Sequence, residues 1–163
     1  TVNPRKFSRH HNYSVARRRV MSELTLDQAT VILDTTLAKG AELGLNPLTV
    51  AIVDSGGSLK AFKRQDGPGA ALRPLVATGK AFGAVGMGRS SRALGALAQD
   101  RPHFVNALVG VSDGRLVPVP GGVLIKNADG DIIGAVGVSG DTSDNDEMAA
   151  VAGIEAANLE AGI

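Results

Sequence analysis

The chain has 163 residues, 44% of them hydrophobic, which supplies a sizeable core for one domain and bounds the domain count near one. Cysteine is absent, which excludes disulfides, thiolate metal sites and a cysteine nucleophile and favours a reducing, cytoplasmic compartment; no apolar run nears the ~20 residues of a membrane span. The net charge of +1 hides an asymmetry, since residues 1–20 carry six bases and no acid, leaving a mildly acidic remainder that argues against a nucleic-acid-binding face.

Residues 1–20 read as a basic N-terminal arm or extension without the apolar centre of a secretory signal, expected to lie on its own domain or against a neighbouring subunit. Met21 reads as a natural start for a domain over 21–163. Thr25-Leu26-Asp27-Gln28 is a capping box with Leu24 placed to staple against Ala29. After it, Ala29, Ile32, Leu33, Thr36, Leu37, Gly40 and Leu43 keep helical spacing up to Gly44. Leu48–Val53 reads as a buried strand, Ser55-Gly56-Gly57 as a turn, and Ser58–Arg64 as the hairpin partner.

Beyond the loop at 65–70, Leu72, Leu75, Val76, Gly79, Phe82, Gly83 and Gly86 form the apolar stripe of a second helix, with Pro74 tolerated in its first turn and Gly88 at its end. Ser90–Ala98 reads as a short helix, and residues 99–113 are ambiguous. Arg115–Val119, Gly122–Lys126 and Ile132–Ser139 read as three more strands, the last two joined at Asp129-Gly130. A final helix starts near Ser143 or Asp144 and runs through Met148, Val151, Ala152 and Leu159. The short turns between successive strands require antiparallel pairing, so the class is α+β, a helix-flanked antiparallel sheet.

Three groups of residues carry candidate chemistry. The adjacent glycines of Pro120-Gly121-Gly122 either expose backbone N–H groups to a closely approaching ligand or close a tight hairpin. Asp141, Asp144, Asp146 and Glu147 put four carboxylates at the start of a helix, where the dipole and capping already account for acids. The functional alternative is a general base or a cation site facing the glycine turn, at a spacing unlike an EF-hand loop. Arg73 and Lys80 are seven residues apart, about 20° around a helix, so they either address one anion or snorkel to solvent. His103 is a candidate ligand or acid–base group or a solvated loop histidine, while His10 and His11 fall in the arm. Gly83–Gly88 lacks the dinucleotide spacing, and Gly137–Asp141 breaks the nucleophile-elbow pattern at its last position.

Several motifs follow one another in order over about 130 residues. They are Val53-Asp54-Ser55-Gly56-Gly57, Arg64-Gln65-Asp66-Gly67, Gly79-Lys80-Ala81, Pro118-Val119-Pro120-Gly121-Gly122, Ile133-Gly134-Ala135-Val136-Gly137-Val138-Ser139-Gly140 and Asp144-Asn145-Asp146-Glu147. With them, the segment from Leu24 to about Ala157 resembles the GlcG/HbpS-like family, the haem-binding or "haem-degrading" domain also found at the C-terminus of PduO-type proteins. The resemblance implies a profilin-like fold with a five-stranded antiparallel sheet and self-association into dimers or higher assemblies. For function it implies a range of roles rather than one reaction.

The resemblance also raises Lys80 above Arg73 as a carboxylate or propionate anchor and joins Lys80, Gly121 and Gly122 to the acidic segment as walls of one pocket. The leading reading is a cytoplasmic homo-oligomer that binds a small anionic molecule, haem being the named candidate, through Lys80, Arg73, Pro120, Gly121, Gly122 and His103. In a chain without cysteine the axial ligand of a haem iron falls to His, then Met or Tyr, and no family ligand aligns to a residue of this sequence. The alternative is a cofactor-independent hydratase, isomerase or hydrolase acting on a carboxylate or carbonyl compound, with Asp54, Lys80, His103, Asp144 and Glu147 as its acid–base and anion-binding groups. A third reading is a structural or regulatory subunit whose arm docks an acidic partner.

Overall fold

A computed structural model describes residues 23–69 and 71–163, and the basic arm with His10 and His11 lies outside them. Thr25 opens helix α1 (Leu26–Glu42) through the expected capping box. Its hydroxyl accepts from the Gln28 N–H at 3.1 Å, and Gln28 Oε1 accepts from the Thr25 N–H at 3.0 Å. Ala29, Ile32, Leu33, Thr36 and Gly40 form the buried stripe, whereas Leu43, the last expected position, is exposed beyond the helix end. Strands β1 (Thr49–Asp54) and β2 (Leu59–Arg64) follow as a hairpin. Asp54 shapes its turn by accepting from the Gly56 and Ser58 N–H groups, both at 2.9 Å.

Three helices come next, α2 (Arg73–Met87), α3 (Ser91–Asp100) and α4 (Pro102–Val111). The ambiguous stretch 99–113 is therefore largely helix, with Pro102 in the first turn where its missing N–H costs nothing. Strands β3 (Gly122–Lys126) and β4 (Ile132–Ser139), helix α5 (Ser143–Ala156) and strand β5 (Glu160–Gly162) complete the order. All five strands pair antiparallel in one sheet, β2-β1-β4-β3-β5. Val50, Ile52, Val123, Ile125, Val136 and Val138 point to the face covered by α1 and α5. Val53, Leu124 and Ala135 point to the other face, against Ala81 and Ala84 of α2.

Helix α5 ends at Ala156, short of the expected Leu159, and two larger expectations need correction. Residues 115–119 are not a strand. The Val117 N–H donates to the Gly79 carbonyl at 3.3 Å, and Val117 Cγ2 lies 2.6 Å from where a Cβ on Gly79 would sit. The segment therefore runs along α2, and Pro118 and Pro120 lack the donors a central strand needs. The fifth strand is instead β5, three residues that pair with Leu124–Lys126. The second correction concerns the face of α2. Its buried residues are Arg73, Ala77, Gly79, Lys80, Ala81, Gly83 and Ala84, while Leu72 and Leu75 of the expected stripe are 63% and 69% exposed. Small residues win the contact because the helix lies on strand backbone: a Cβ on Gly137 would collide with the Ala77 carbonyl, and one on Gly122 with that of Lys80.

Candidate functional site

Lys80 projects from the sheet side of α2 into the joint between β4 and α5. Its ammonium donates to Asp146 Oδ2 at 2.9 Å and to the Val138 carbonyl at 2.8 Å, and both ionic side chains are only 2% exposed. Asp146 Oδ1 accepts from the Asp141 N–H at 3.0 Å. Burial pushes the Asp146 carboxyl upward, and the adjacent Lys80 ammonium opposes that shift. The glycine turn closes over this pair. A Cβ on Gly121, whose φ is +112°, would sit 2.8 Å from Lys80 Nζ and 3.0 Å from Asp146 Cβ. The Gly122 N–H donates to Ser91 Oγ at 2.6 Å.

The structure thus brings Lys80, Gly121 and Gly122 together with the acidic segment, in close contact around the buried ion pair. Arg92 covers the outside. Its Nε donates to Glu147 Oε1 at 2.8 Å and its Nη2 to Asp144, and these two acids hold its own pKa up. Glu147 Oε2 is buried without a hydrogen-bond partner among the described residues. Asp141 accepts four hydrogen bonds, from the backbone and side-chain nitrogens of Asn46, the Thr142 N–H and the Asn145 amide. Together these donors lower its pKa to about 2.

The remaining candidates are dispersed. Asp54 organises the β1–β2 turn, and His103 is exposed in the first turn of α4, so neither joins Lys80, Asp144 and Glu147 in one constellation. Arg73 and Lys80 share a helix face but separate at their tips, Arg73 Nη1 donating to the Pro47 carbonyl. Ser91, Arg92 and the Val138 carbonyl escaped the sequence reading. A serine and an arginine at a helix start and one carbonyl in an apolar strand carry no distinguishing pattern. Among the described residues no group of three or more His, Cys, Asp or Glu side chains is arranged to hold a metal ion, and no helix is long and apolar enough to cross a membrane.

Open space lies on either side of the closed cluster. On the outer flank of α2, a cleft of about 420 Å³ is bounded by Leu59, Leu75, Phe82 and Arg115. It shares Phe82 and Arg115 with a neighbouring cleft of about 290 Å³ that reaches Met87, Leu108 and Leu116. The Arg115 guanidinium lies 4.2 Å from the centroid of the Phe82 ring. At the other end of the helix, Arg73 lines a cleft of about 350 Å³ with Asn46, Pro68, Gly69 and Gly140.

The fold is shared with solved proteins. A PduOC–haem complex superposes with a TM-score of 0.77 at 24% identity, covering 87% of this chain and all of that one. Protein ORFY of Klebsiella pneumoniae superposes at 0.76 with 21% identity, covering 89% and 98%. A double mutant of HbpS from Streptomyces reticuli superposes at 0.70 with 27% identity, covering 82% and 86%. No curated protein matches the sequence. Residues 24–155 match the sequence model described as haem degrading protein HbpS-like, and the chain accordingly belongs to the HbpS-like family.

Proposed function

We propose that this protein is a cytoplasmic, homo-oligomeric haem-binding member of its family, with the outer flank of α2 as the binding surface. The observation that carries the reading is the pairing of an apolar groove, formed by Leu59, Leu75 and Phe82, with the cation of Arg115, which shares the wall with Asp113. Haem has the same two-part chemistry, an apolar macrocycle and anionic propionates, and both PduOC and the family description are linked to haem. Met87 lines the adjoining cleft and offers the thioether that a chain without cysteine can present to iron. Bound haem would supply a redox-active iron; the residues here would hold the ring, pair a propionate and keep water from one face.

In this reading Lys80, Pro120, Gly121 and Gly122 frame α2 against the sheet rather than touch the ligand. Self-association is supported by the exposure of two large apolar side chains, Phe62 of the edge strand and Leu72 at the cap of α2.

Titration of the full chain with haem, followed at the Soret band, is the test. A saturable shift that weakens about tenfold in Arg115→Glu and Phe82→Ala, with a displaced band in Met87→Ala, is the expected result. No saturable shift removes haem from the account. Binding unchanged in all three variants moves the site away from this groove.

A further inference from the structure

Arg73 is the first residue of α2 and only 7% exposed. Among the described residues its guanidinium enters no ion pair. One nitrogen donates to the Pro47 carbonyl, and Nε is buried without a partner. A buried cation without a counter-charge is costly, and proteins relieve that cost with a fixed anion or a bound one.

The surroundings suit a bound anion. Arg73 lines the 350 Å³ cleft, and its Nη2 lies 3.8 Å from where a Cβ on Gly69 would sit, so the absent side chain leaves the guanidinium edge uncovered. The cap residue Leu72 makes no side-chain bond to the first turn of α2, which leaves helix-end N–H groups and the positive end of the dipole beside Arg73.

We propose that this cleft binds a small carboxylate, with the Arg73 guanidinium as its counter-ion. The fork of N–H donors matches the two oxygens of a carboxylate, and Pro47 and Pro68 supply apolar walls for a short carbon chain or ring. Asp141 stands at the rim with four donors already on its oxygens. Its charge repels a phosphate dianion more than a carboxylate monoanion. The site is separate from the haem groove and stands or falls without it.

The experiment is a titration of the full chain, free of haem, with propionate, benzoate and inorganic phosphate at matched ionic strength, followed by amide NMR shifts. Saturable shifts at Gly69, Arg73 and Gly140 with a carboxylate, weaker with phosphate, are expected. Affinity should fall roughly tenfold in Arg73→Gln and less in Arg73→Lys, which keeps the charge without the fork. Should Arg73→Gln fail to fold, the wild-type shift map and Arg73→Lys still decide. No saturable shift at those amides, equal binding by the folded variants, or tighter binding of phosphate overturns the proposal.

Discussion

Two buried cations lie two turns apart on one face of α2, and they have opposite surroundings. Lys80 is closed in by Asp146, the Val138 carbonyl and the Gly121 turn, whereas Arg73 meets one carbonyl and an open cleft. Equal spacing on a helix therefore does not mean equal chemistry. What decides is whether the fold delivers a carboxylate from elsewhere, and here α5 delivers one to Lys80 and none to Arg73.

Removing Lys80 is the strongest way to break this contrast. Lys80→Met strands Asp146 in the interior and should cost about 3–5 kcal/mol in urea denaturation, while a Lys80→Met/Asp146→Leu double variant should recover most of it. A cost equal to that of a surface lysine would mean that the pair is not buried in solution. Gly122→Ala comes next, at about 1–3 kcal/mol, because its Cβ would reach the Lys80 carbonyl carbon at 2.7 Å and Ser91 Oγ at 2.8 Å. Arg73→Met, losing a single hydrogen bond to a carbonyl, should cost only about 1 kcal/mol. If it costs as much as Lys80→Met, Arg73 is a structural pillar and the contrast disappears.

The remaining effect is on acid stability. With its pKa lowered from 3.8 to about 2 by accepted hydrogen bonds, Asp141 stabilises the fold fully above its unfolded value, and that contribution is lost as the pH falls toward 2. Carboxyl NMR titration should place its midpoint near 2, and Asp141→Asn should flatten the stability curve between pH 4 and about 2. A midpoint near 3.8 would show that the four donors do not hold in solution.

Local signals made much of the fold legible. The Thr25 capping box, the Ser55-Gly56-Gly57 and Asp129-Gly130 turns and the start of α5 are all short-range patterns, and each lies where the sequence places it. Residues 115–119 misled because Leu116 and Val117 have strand chemistry yet pack along a helix. Glu160-Ala161-Gly162 was silent because its pairing depends on the free edge of β3. The α2 stripe misled for a related reason: glycine and alanine carry little hydrophobic signal, yet only they fit against the strand backbone. At the candidate site, the carboxylates and cations were visible as types. The Lys80–Asp146 union spans 66 residues, and no local rule connects them.

The glycine contact between α2 and the sheet bears on recognition as well as on packing. Arg73 and Met87 occupy the two ends of this helix, fourteen residues and so about 21 Å apart. Between them the helix backbone rests on Gly122 and Gly137 with no side chain as a cushion. Such a beam has little slack, so the walls it lends to both clefts are preorganised. The entropy of ordering them is lost when the chain folds, and little remains to be lost when a ligand arrives.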